Sequence, residues 1–78
     1  MRLQLKTLVG KIIEVDLTGI ESPTVDQLKE QIEDIEGIPA GSQRLILNDK
    51  TPLAPGRSLA EYNITDGSMI YLLLRTLG

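Results

Sequence analysis

The sequence predicts an α+β domain in which a mixed sheet of four to five strands packs on one helix. Three observations predict it. Strict apolar/polar alternation at residues 1–6 and again at 13–17 marks two half-buried strands; Val25, Leu28, Ile32 and Ile35 recur at helical spacing; and an unbroken apolar run, Met69 to Leu74, precedes the last residues. Successive strand side chains point to opposite faces, so that last run is apolar on both sides. A chain of 78 residues buries only about 60–65% of its unfolded surface, and one helix covers one face of a sheet. The other face is then expected to await a partner.

Composition narrows the function classes. The chain has no cysteine and no histidine, eight basic and eleven acidic residues, and a formal net charge of -3. Disulfides and thiolate metal sites are ruled out, and the commonest general base and metal ligand is missing. No defensible pair of carboxylates and no nucleophile–base set replaces them, so no enzyme activity, metal or cofactor is expected. None of the glycines sits in a phosphate-binding pattern. The acidic balance disfavours nucleic acid as a partner. No apolar window approaches a membrane span, and the N-terminus alternates where a secretory leader would carry a continuous apolar core. The composition suits one monomeric domain over residues 1–78, in the cytoplasm or nucleus.

Each element has its own signature. Met1, Leu3 and Leu5 face one way along the first strand; Arg2, Gln4 and Lys6 face the other. A Gly10-containing loop leads to a second strand with Ile13, Val15 and Leu17 inward, giving a hairpin. Leu8 and Val9 at its tip, and the off-phase Ile12, have no evident core to join. Thr18 to Pro23 is a loop. Thr24 is an N-cap, with Gln27 completing a capping box, and Gly37 followed by Pro39 ends the helix. Asp26 suits the first turn, Lys29 is placed to pair with Glu33, and Asp26, Glu30, Glu33, Asp34 and Glu36 are solvated. Gln43 to Asn48 forms a third strand, with Leu45 and Leu47 on one face and Arg44, Ile46 and Asn48 on the other. Asn48-Asp49 is a turn, and Lys50 to Leu53 is a short edge strand limited by Pro52. Ser58 to Tyr62 is a turn anchored by Leu59, Tyr62 and Ile64. Asp66-Gly67 then turns into the last strand, with Ile70, Leu72 and Leu74 toward the core.

The outward apolar set is Leu8, Ile46, Tyr71 and Leu73, ringed by Lys6, Arg44, Lys50 and Arg75. An apolar patch with a basic rim has the form of a docking surface.

The segments Lys6-Thr7-Leu8, Gly10-Lys11, Glu36-Gly37-Ile38-Pro39, Gln43-Arg44-Leu45-Ile46, Gly56-Arg57-Ser58-Leu59, Tyr62-Asn63-Ile64 and Leu72-Leu73-Leu74-Arg75 closely resemble ubiquitin, and the likeness covers essentially the whole chain. The resemblance implies a β-grasp fold. It also implies that Leu8, Ile46 and Leu73 match a hydrophobic patch read by ubiquitin-binding domains, with Tyr71 in place of the family's histidine and Arg44 and Arg75 beside it. Lys6, Lys11, Lys29 and Lys50 match positions that accept linked modifiers; Gln31, Ile35 and Asp66 fill three other lysine positions. The loop from Thr18 to Pro23 is two residues longer than ubiquitin's, and a third extra residue lies near Thr51-Pro52.

The end departs from the pattern. A mature modifier closes on a basic tail with two glycines, which thread narrow enzyme channels. Here Leu77 stands where the tail has arginine, and Gly78 is the lone glycine. The expectation is therefore a ubiquitin-like interaction domain of a longer protein, docking to ubiquitin receptors, the proteasome or related machinery through Leu8, Ile46 and Leu73. The alternative is a separate modifier conjugated through Gly78 to target lysines, handled by activating and processing enzymes.

Overall fold

The computed structural model describes residues 1–48 and 50–74. Four strands and one helix follow in the order β1 (Arg2–Lys6), β2 (Ile12–Asp16), α1 (Val25–Glu36), β3 (Gln43–Ile46) and β4 (Met69–Leu74). Single 3-10 turns lie at Ala40–Ser42 and Leu59–Tyr62. The sheet order is β2-β1-β4-β3. Its two central strands, β1 and β4, run parallel, and each is flanked by an antiparallel partner. With α1 across one face this is a β-grasp fold, as the resemblance to ubiquitin implies; the alternation and the single helical stripe predict its strands and helix.

The hairpin closes because Gly10 adopts φ 83°, a left-handed conformation glycine takes without steric cost, and donates its N–H to Thr7 O at 3.0 Å. Leu3, Leu5, Ile13, Val15 and Leu17 are buried against Val25, Leu28 and Ile32 of the helix. The helix starts and stops as its sequence prescribes. Thr24 Oγ1 accepts from Gln27 N at 3.2 Å, while Thr24 N donates to Gln27 Oε1 at 2.9 Å. Gly37, at φ 72°, donates to Glu33 O. A side-chain cap of this kind stabilises a helix by about 1 kcal/mol.

Several expectations are corrected. Ile35 lies at the edge of the apolar stripe and is 49% exposed. Lys29 and Glu33 form no ion pair; Glu33 Oε1 instead accepts from Ala40 N at 3.1 Å, capping the turn that follows the helix. β3 stops at Ile46, so Asn48 lies in the turn after it. The expected fifth strand shrinks to one bridge, Ile46 to Pro52, supported by Leu47 N to Thr51 O and Leu53 N to Leu45 O. Pro52 has no N–H to extend that ladder. Leu74 is 57% exposed instead of buried, because β1 pairs with β4 only as far as Lys6 and Tyr71, leaving the end of β4 without a neighbour on that side.

Gln43 sits at a core position, 3% exposed. Its Nε2 donates to Lys29 O and Ile38 O, each at 2.9 Å. The amide nitrogen ties the start of β3 to the helix and the segment after it, while Gln43 Oε1 is buried with no hydrogen-bond partner among the described residues.

Candidate functional site

β4 positions the site. Its inner residues Ile70 and Leu72 are buried under the helix, while Met69, Tyr71 and Leu73 lie half-buried on the opposite face. Register decides their neighbours. Tyr71 is flanked by Lys6 on one side and Ile46 on the other, and Leu73 by Arg44. Ile12 lies beyond Lys6, so Ile12, Lys6, Tyr71 and Ile46 form one row across all four strands. The next row holds Glu14, Gln4 and Met69. Tyr71 Oη donates to Asn48 Oδ1 at 3.3 Å, which holds the ring over the β3 end of the row.

Of the sequence-predicted patch, the fold thus brings Ile46, Tyr71 and Leu73 together. Leu8 goes elsewhere. It is 79% exposed in the hairpin turn and lines a recess of about 150 Å³ with Thr7, Val9, Ile38, Leu72 and Leu74. That recess opens where β4 outruns β1, at the margin of the core. Leu74 and Ile38 belong to it, and neither was singled out from sequence as a surface residue.

The described charges are unevenly matched. Arg2 lies 3.9 Å from both Glu14 and Asp16, Lys11 Nζ 2.9 Å from Glu36 Oε1, and Arg57 3.3 Å from Glu61. Among the described residues Lys6, Arg44 and Lys50 form no ion pair. Lys6 and Arg44 adjoin the apolar row, and Lys50, exposed at φ 70°, follows the turn beyond β3. Arg75 and Gly78 fall outside the described residues. Of the candidate acceptor lysines, Lys6 and Lys50 are exposed, Lys29 is half-buried, and the Lys11 ammonium is held by Glu36.

Two exposed carboxylates titrate below their usual range. The Thr18 hydroxyl and Thr18 N–H both donate to Asp16 Oδ1, with Arg2 adding a weaker pull. Ser58 N–H, helped by Arg57, does the same for Glu61. Both are exposed, and both bonds organise turns. Among the described residues no group of acidic side chains could hold a metal ion, and no helix is long and apolar enough to cross a membrane.

Comparison with known proteins places this geometry. The family model described as "Ubiquitin family" matches residues 3–77. The "Ubiquitin-like protein NEDD8" of Dictyostelium discoideum is 37% identical over 78 residues, covering 100% of this chain and 97% of the relative. "Ubiquitin-like protein 1" of Schizosaccharomyces pombe is also 37% identical, over 100% of this chain and 96% of its own length. "NEDD8-like protein RUB3" of Arabidopsis thaliana is 35% identical, with 100% and 96% covered. These relatives consist of little more than the unit described here, which overturns the expectation of a docking domain within a longer protein. Family membership also accounts for the missing catalytic groups: the chain is a protein-binding or protein-modifying unit and not an enzyme. By the match along residues 3–77 and the β-grasp topology that carries it, the chain belongs to the ubiquitin family.

Proposed function

We propose that the chain is a ubiquitin-like modifier, joined through a C-terminal glycine to lysines of other proteins and then recognised by its outer sheet face. The observation that carries this reading is the nearly end-to-end match to ubiquitin-like proteins of the same extent. Conjugation consumes ATP. The terminal carboxylate attacks the α-phosphorus and expels pyrophosphate; a cysteine thiol of an activating enzyme displaces AMP to form a thioester; a target lysine amine then displaces the thiol to leave an amide. Glycine suits such a tail because it has no side chain to obstruct an enzyme channel.

Recognition would rest on Ile46, Tyr71 and Leu73, with Lys6, Arg44 and Lys50 drawing acidic side chains to the rim. This arrangement suits ubiquitin-binding domains and the activating and processing enzymes of the pathway. The native gene product, processed to a terminal glycine, is expected to form a thiol-sensitive adduct when incubated with a NEDD8-type activating enzyme and ATP. Failure to form it, with a known modifier charged in parallel, overturns the conjugation reading.

A further inference from the structure

The two edges of the sheet are finished differently. The outer edge of β3 is covered by the segment carrying Thr51 and Leu53. β2 is the other edge, and the hydrogen-bond pattern says which of its groups face outward. Leu17 N donates to Met1 O, and Thr7 N to Lys11 O. In an antiparallel ladder bonded and non-bonded pairs alternate, so the bonded pairs are Leu3 with Val15 and Leu5 with Ile13 in the same register. The backbone N–H and C=O groups of Ile12, Glu14 and Asp16 therefore point away from the sheet. Among the described residues nothing pairs with them. The edge is thus an unpaired template of three alternate residues.

The side chains of the same three residues lie on the outer face. Ile12 is 55% exposed. Glu14 and Asp16 share one Arg2 guanidinium, at 3.9 Å from each, so two carboxylates are matched by a single loosely placed cation. A second copy of the chain is a poor occupant. Antiparallel pairing of β2 with itself about Glu14 would set two Glu14 carboxylates opposite each other, and like charges opposite one another destabilise a sheet.

We propose that β2 accepts an extended peptide as a fifth strand, running antiparallel, with basic residues opposite Asp16 and Glu14 and an apolar residue opposite Ile12. Backbone pairing supplies the register, and alternate side chains supply the choice of partner. Because Ile12 begins the row that continues through Lys6 to Tyr71 and Ile46, a bound strand would widen the outer face. The assignment does not depend on conjugation: it stands or falls on the edge alone.

The test uses the isotopically labelled chain and a blocked peptide, Thr-Arg-Thr-Arg-Thr-Ile-Thr. Saturation is expected to slow amide exchange at Ile12, Glu14 and Asp16 by about tenfold or more, leaving the already bonded Ile13 and Val15 amides unchanged. Methylating the peptide's pairing amides should abolish the effect. E14K/D16K, at two exposed positions, should weaken the basic peptide about tenfold and favour its counterpart with Glu in place of Arg. Shifts confined to Tyr71, Leu73 and Ile46, or binding that survives amide methylation, would assign the peptide to side-chain charge alone and overturn strand addition. An edge merely protected by its charges gives no slowing at any peptide concentration, and overturns it equally.

Discussion

The two faces of β4 are built from nearly the same side chains and have opposite fates. Ile70 and Leu72 are enclosed by α1 and the neighbouring strands, whereas Met69, Tyr71 and Leu73 look out between Lys6, Arg44 and Ile46. Hydrophobicity cannot separate them, since Leu72 and Leu73 are the same residue type one position apart. What separates them is the single helix: twelve residues cover one side of a four-stranded sheet and no more. An apolar residue under the helix contributes to folding, and one on the far side remains available for another protein.

The sharpest test of that division compares Leu72→Ala with Leu73→Ala. The first should destabilise the fold by about 2–5 kcal/mol, as large-to-small changes in a packed core do, and the second by under about 1 kcal/mol; equilibrium urea unfolding reads both. Equal losses would mean that the outer face is part of the core. Next comes Ile46→Ala, which should leave the unfolding midpoint nearly unchanged and weaken binding of a ubiquitin-binding helix by about 2 kcal/mol, measured by calorimetric titration. Unchanged affinity would remove Ile46 from the recognition face.

A smaller effect tests what makes the inner face an inner one. Thr24→Ala removes the acceptor for Gln27 N and should cost about 1 kcal/mol of stability, with the loss appearing as faster amide exchange in the first turn of α1. The smallest effect is electrostatic. Asp16 has a lowered carboxyl pKa, so its contribution is present above the ordinary aspartate range and is lost as pH falls through the lowered value. Thr18→Val, which removes the hydroxyl donor but keeps the N–H donor, should raise the Asp16 midpoint in a carboxyl-carbon NMR titration. A midpoint unmoved by that change would assign the shift to the backbone donor and Arg2.

Much of this architecture is legible in the residues themselves. Alternation identifies β1 and β2 because each is half-buried, so its polarity has the period of the strand. The helix carries its boundaries in Thr24, Gln27 and Gly37, whose capping bonds are local. Where legibility fails, the deciding contact is distant in sequence. Leu74 and Leu72 share a parity, yet only Leu72 is enclosed, since β1 ends before Leu74 is reached. Gln43 shares the parity of Leu45, but the partners that let its amide lie in the core, the carbonyls of Lys29 and Ile38, are known only from the fold. Leu8 joins Ile38 and Leu74 instead of Ile46 because the hairpin turn lies at the end of β4.

The sequence by itself determined which segments pair or coil, and that more apolar surface exists than one helix can cover, because these properties depend on periodicity and on neighbours a few residues apart. Only the tertiary structure decided which apolar residues lie under the helix, which stand in a row with Lys6 and Ile46, and that β2 is an open edge. Those outcomes depend on strand order and on where each strand stops. Both are set by contacts between residues far apart along the chain, and no local pattern encodes them.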